Sequence, residues 1–135
     1  MRILIIDGQG GGVGKCLVEA LRETCPQDEL ITVGTNAMAT ANMMKAGSIN
    51  GATGENAVIY NSKRADVIVG PMGIVMANAM LGEITAKMAE AVSTAEANLF
   101  LIPMNRCHAT IVGVENKKMT EYVKEAVEQI VALQG

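Results

Sequence analysis

Aromatic side chains are nearly missing from this sequence: Phe100, Tyr60 and Tyr122 are the only three, and there is no Trp. The core it builds is therefore aliphatic and thioether-rich. A basic excess is missing too. Eleven Lys plus Arg stand against fourteen Asp plus Glu, for a formal charge of -3, which excludes general binding to a nucleic-acid backbone. Cysteine is sparse and odd in number, with Cys16, Cys25 and Cys107 forming no CxxC pair, so neither a disulfide framework nor a structural zinc site is expected. The single histidine, His108, leaves little for any other metal centre. No apolar run approaches the roughly 18 residues of a membrane span, and the opening MRILIID ends on an acid, unlike a signal peptide. The expectation is a soluble, cytoplasmic protein without a membrane or nucleic-acid partner.

What is present is apolar and glycine-punctuated. Half of the 135 residues are hydrophobic, enough for a single domain spanning residues 1–135 and too few for two. Ten methionines suit irregular packing or an adaptable contact surface, and Met38, Met43, Met44, Met76, Met80 and Met88 are assigned mostly to the core. The fourteen glycines fall mainly in short clusters.

Residues 2–7 are a short, almost uniformly apolar run that reads as a buried parallel strand. Val13, Cys16, Leu17, Ala20 and Leu21 then recur on one face of a helix ending near Pro26. Residues 30–33 are a second strand, after which Thr35 or Asn36 caps a helix running to about Lys45. Beyond a turn at residues 51–54, Thr53 is placed to cap a further helix, with a strand at residues 57–60 as the rival reading. Residues 66–70 form a third strand. A long segment at residues 74–95 carries Met76, Met80, Leu81, Ile84, Met88 and Val92 at helical spacing, with a possible break at Gly82. Strands at residues 98–103 and 110–114 and a final amphipathic helix complete the chain. Strands alternating with helices describe a three-layer α/β/α sandwich on a mostly parallel sheet of about five strands.

In such a sheet the loops leaving the strand C-termini gather along one edge, where these folds bind ligands. The sequence places there Gly8, Gln9, Gly10, Gly11, Gly12, Val13 and Gly14, then Thr35 and Asn36, then Gly70 and Pro71, then Asn105 with Arg106. Five glycines within seven residues exceed what a strand-to-helix turn needs, and they let backbone amides approach an anion at a helix start. Gly8, Gly12 and Gly14 fit a GxxxGxG spacing that resembles the cofactor loop of short-chain dehydrogenases. The Tyr-x-x-x-Lys pair of that family is absent, since Arg64 follows Tyr60 and Ala126 follows Tyr122 at that interval. The stretch from Gly11 to Lys15 also resembles the P-loop of partition-type ATPases, but Gln9 replaces its first glycine and Cys16 its hydroxyl.

Four acidic or thiol positions complete the candidates. Asp7 is either a general base or the hydrogen-bond anchor of the glycine loop. Glu55 with Asn56 follows Gly54 at a helix start, where capping is the ordinary role. Glu83 is either a buried acid or a solvated residue. Cys16, in a first helical turn, is either activated by the helix dipole or a small buried hydrophobe.

Taken together, the Asp7-Gly8-Gln9-Gly10-Gly11-Gly12 loop, the Gly34-Thr35-Asn36-Ala37 stretch and the Gly51-Ala52-Thr53-Gly54-Glu55-Asn56 block resemble a family of short, uncharacterised bacterial proteins of Rossmann-like fold. So do Gly70-Pro71-Met72-Gly73 and Leu81-Gly82-Glu83-Ile84-Thr85, and the resemblance covers nearly the whole chain. It implies a stand-alone domain and assigns no reaction. The residues themselves point to a pocket for a nucleotide, a dinucleotide such as NAD(P), or another phosphorylated small molecule. The alternatives are an enzyme of unknown reaction acting on a small metabolite and a ligand-free structural module. A homo-oligomer is expected in each case.

Overall fold

The structure, a computed structural model, describes residues 1–104 and 108–134. Five parallel strands form one sheet: β1 (Arg2–Asp7), β2 (Glu29–Gly34), β3 (Asn50–Thr53), β4 (Val67–Pro71) and β5 (Asn98–Ile102). Five helices connect and close them: α1 (Gly12–Thr24), α2 (Ala37–Lys45), α3 (Glu55–Ser62), α4 (Ala86–Ser93) and α5 (Met119–Ala132). The spatial order is β3-β2-β1-β4-β5, so β1 lies at the centre. That position explains its composition, because a strand covered on both faces has no solvent side to alternate with.

Successive β1 side chains point to opposite faces and feed two cores. Ile3 and Ile5 meet Leu17 and Leu21 of α1, Met43 of α2, and Val123, Val127 and Ile130 of α5. Leu4 and Ile6 meet Val58 of α3 together with Ile84 and with Met88 and Val92 of α4. All of these side chains are buried, and each contributes about 1.5–3 kcal/mol by leaving water. The result is a Rossmann-like three-layer sandwich. The chain winds from β1 outward through β2 to β3, then returns to the other side of β1 with β4 and β5, so a crevice opens between the C-terminal ends of β1 and β4.

Four sequence expectations need correction. The strand expected at residues 110–114 is irregular chain, with Val112 93% exposed; its apolar residues have no paired neighbour to bury them. The fifth strand is instead β3, whose Asn50–Thr53 reads as a turn because a four-residue edge strand leaves most of its side chains in water. The helix expected across residues 74–95 is a 3-10 turn (Met72–Val75), a loop, and α4 alone. Thr53 does not cap α3, since Gly54 holds that place and the Thr53 hydroxyl lies 2.8 Å from that of Thr40. The methionines also divide: Met43 and Met88 are in the core, whereas Met38 is 66% exposed and Met44 is at the surface.

Candidate functional site

Asp7 ends β1, where its register partner is Gly34 of β2. Its carboxylate is buried and bridges both ends of the glycine loop. Gly8 N donates to Oδ1 and Gly14 N donates to Oδ2, each at 2.7 Å. Burial pushes this carboxyl above the ordinary range, while the amides of Gly14, Gly8 and Val13 pull the other way. Between those anchors Gln9 (φ 50°) and Gly11 (φ 73°) are left-handed, and Gly11 N donates to Gly8 O at 2.9 Å. Glycine is required at position 11, where a Cβ would also sit 3.0 Å from the Ala39 backbone. Positions 10 and 12 differ, because a Cβ at either would meet nothing within 4 Å. Among the described residues the amides of Gly10 and Gly12 find no acceptor; Gly12 opens α1, where helix geometry leaves the first N–H groups unpaired, and Gly10 lies in the turn before it.

The facing wall comes from the chain after β4. Beyond the 3-10 turn, Asn78 (φ 68°), Met80 (φ 59°), Leu81 (φ 57°) and Gly82 (φ 90°) form a left-handed reversal. It is closed by Gly82 N donating to Asn78 O at 3.1 Å and Asn78 N donating to Ile84 O at 2.6 Å. Three non-glycine residues in that region within four positions amount to backbone strain, which surrounding contacts must hold in place.

Glu83 supplies those contacts. Its Oε1 accepts from Gln9 N at 2.8 Å, from Thr35 Oγ1 at 2.5 Å and from Asn36 Nδ2 at 2.9 Å. One oxygen thus joins the post-β4 loop, the glycine loop and the end of β2. The Thr35 hydroxyl and the Gln9 amide hold the Glu83 carboxyl below the ordinary glutamate value. Asn36 adds a bond from Nδ2 to Gln9 O at 2.9 Å while its Oδ1 caps α2 at Ala39 N.

The two walls enclose a cavity of about 920 Å³, large enough for a mononucleotide-sized molecule. Asp7, Gly8, Gln9, Gly10, Gly11, Gly12 and Val13 line one side; Pro71, Gly73, Met76, Ala77, Asn78, Ala79, Met80 and Leu81 line the other. Met104, His108 and Met119 complete it. The lining is thioether and aliphatic apart from the loop backbone, Asp7, Gln9, Asn78 and His108.

Of the residues singled out from sequence, Gly8 to Val13 and Pro71 share this cavity. Gly14 faces inward, where a Cβ would crowd the Met43 side chain and Asp7 Cβ. Gly70 is buried in the sheet, and a Cβ there would collide with the Ile6 carbonyl oxygen. Thr35 and Asn36 lie behind the glycine loop, bonded to Glu83, and are not part of the cavity lining. Glu55 begins α3 after Gly54, away from the cavity. Cys16 is half-buried and its thiol is pushed up by burial, the opposite of an activated thiolate. Asn105, Arg106 and Cys107 lie outside the described residues. The stretch from Met76 to Leu81 was hidden by its helical spacing; Asn78 and Gly82, the residue types that tolerate a left-handed backbone, were its only signal. Among the described residues no three His, Cys, Asp or Glu side chains cluster as a metal site, and no helix is long and apolar enough to cross a membrane.

Residues 2–134 match one family model, described as a domain of unknown function, DUF3842. Comparison with curated proteins gives no match. Among solved structures, the chain is similar to a dodecameric FMN-dependent UbiX-like decarboxylase from Escherichia coli O157:H7. The identity is 17% and the TM-score 0.50, over 97% of this chain and 76% of the other. At that identity the likeness is one of fold.

Proposed function

For a chain that belongs to the DUF3842 family, which carries no assigned reaction, we propose a small-molecule-binding protein whose ligand is a nucleotide or another phosphorylated compound lodged between the glycine loop and the Met76 to Leu81 wall. The observation that carries this reading is the pairing of two walls at the β1/β4 crevice. One presents the unpaired amides of Gly10 and Gly12, and the other presents methionines against which a flat apolar body packs. FMN is the first compound to try, because the similar decarboxylase is FMN-dependent and the cavity volume suits a molecule of that size.

Asp7, in the cavity lining, and Glu83, bonded to the loop from outside the lining, are each engaged in holding the loop, which favours binding over acid–base catalysis as the primary role. A homo-oligomer belongs to the same proposal, supported by the exposed apolar side chains of Met38, Ile49 and Leu81. Native mass spectrometry of freshly purified protein reads ligand and subunit number together. The expected result is a multiple of the chain mass carrying FMN, added in excess, with that added mass lost in Gly12→Val. A folded Gly12→Val variant that retains the ligand fully would overturn the reading.

A further inference from the structure

The glycine loop already holds two negative charges of the protein's own. Asp7 accepts from the Gly8 and Gly14 amides, and Glu83 accepts from the Gln9 amide, so three of the donors that a polyphosphate would recruit are taken. The Asp7 carboxylate also occupies the positive end of α1, where its charge offsets the helix dipole that favours an incoming anion. Among the described residues the cavity lining contains no Lys or Arg to compensate, and of the loop glycines only Gly10 and Gly12 combine an amide without an acceptor with open space where a Cβ would stand.

Resting on the binding reading above, we infer that Glu83 is a specificity-determining residue whose charge, with that of Asp7, limits the ligand to one phosphate monoester or a neutral acceptor. The class is then a mononucleotide-like compound with an apolar body; dinucleotides and nucleoside di- and triphosphates are disfavoured by repulsion from carboxylates that cannot move away. Asp7 is fixed by two amides and by burial, and Glu83 by three donors from two segments of the chain, the glycine loop and the end of β2. A second phosphate would bring further negative charge against both.

The geometry provides a clean way to separate charge from shape. All three donors to Glu83 converge on Oε1, so the amide oxygen of Glu83→Gln can accept the same three bonds with the charge removed. Glu83→Ala removes both.

The test is calorimetric titration of wild type, Glu83→Gln and Glu83→Ala with riboflavin, FMN, AMP, ADP and ATP, with thermal melting to confirm folding. In wild type, FMN or AMP is expected to bind, and neither ADP nor ATP to bind more tightly than AMP. Glu83→Gln is expected to raise the preference for FMN over riboflavin by roughly three- to tenfold, the order of one nearby charge in a partly solvated site. Glu83→Ala is expected to weaken every probe that wild type binds, because the loop loses its clamp. Affinity that climbs from AMP to ATP, or a preference for FMN over riboflavin that is unchanged in Glu83→Gln, would overturn this inference and leave the binding reading standing. Failure of every probe to bind any of the three proteins would overturn both.

Discussion

At the residue scale, glycines of one short sequence hold unlike positions, and substitution separates them. A Cβ at Gly70 has the Ile6 backbone against it, which cannot rotate away. Gly70→Ala is therefore expected to lower stability by about 3 kcal/mol, read by urea unfolding. A Cβ at Gly12 projects into open space at the first turn of α1, so Gly12→Ala is expected to leave stability within about 0.5 kcal/mol while weakening FMN binding. Equal losses of stability in the two variants would contradict these placements. Glu83 adds a pH signature. Its folded-state pKa lies below the ordinary glutamate value of 4.5, so its stabilisation is fully present above that pH and is lost as pH falls through the lower folded value. Asp7, with its pKa raised, contributes in the opposite sense, its stability falling as pH rises from 3.8 through the folded value. Burial, the main cause of that rise, is common to wild type and Glu83→Gln; the smaller part due to the Glu83 charge is present only in wild type and opposes the Glu83 signal. Wild type is thus expected to lose more stability than Glu83→Gln between about pH 5 and about pH 3 by chemical denaturation; parallel profiles would show that Glu83 carries no such stabilisation.

At the element scale, two helix caps of the same type do different work. Asn36 caps α2 at Ala39 N, and its Nδ2 also holds Gln9 O and Glu83; Thr85 caps α4 at Met88 N at 3.1 Å and takes no part in the cavity lining. Replacing either by Ala is expected to cost about 1 kcal/mol of stability, with Asn36→Ala toward about 2 kcal/mol for the extra bonds. Only Asn36→Ala is expected to weaken ligand binding, a contrast that titration of the two variants with FMN checks directly. What could be read from sequence divides along the same line. The β1 run and the Leu17 and Leu21 stripe of α1 were legible because burial on both strand faces and a 3.6-residue period leave a pattern in the letters. Asn36 was legible as a cap because its residue type is a backbone acceptor. β3 was not, since its pairing with β2 is made by backbone groups that any residues supply, and its exposed side chains leave no alternation. Residues 110–114 misled in the other sense, having strand-forming letters and no strand to pair with.

At the scale of the whole molecule, the winding reversal on either side of β1 sets where a ligand can go, and it brings the glycine loop within reach of a wall about seventy residues further along the chain. Half of the site was therefore visible beforehand and half was not. The loop announced itself through five glycines, whereas Met76 to Leu81 carries apolar residues at helical intervals and folds as a left-handed reversal under contacts from Glu83. That reversal depends on tertiary bonds across about seventy positions, which no local pattern encodes. Glu83 itself is neither the buried acid nor the solvated residue considered from sequence; it is a half-buried clamp.

The central claim is that one small molecule lies between these walls, and amide chemical shifts locate it most directly. In a ¹⁵N-labelled sample titrated with FMN, the account predicts saturable shifts at Gly10, Gly12 and the amides from Met76 to Leu81, with α3 and β3 unmoved. Shifts confined to other surfaces, or none at millimolar FMN, would contradict it.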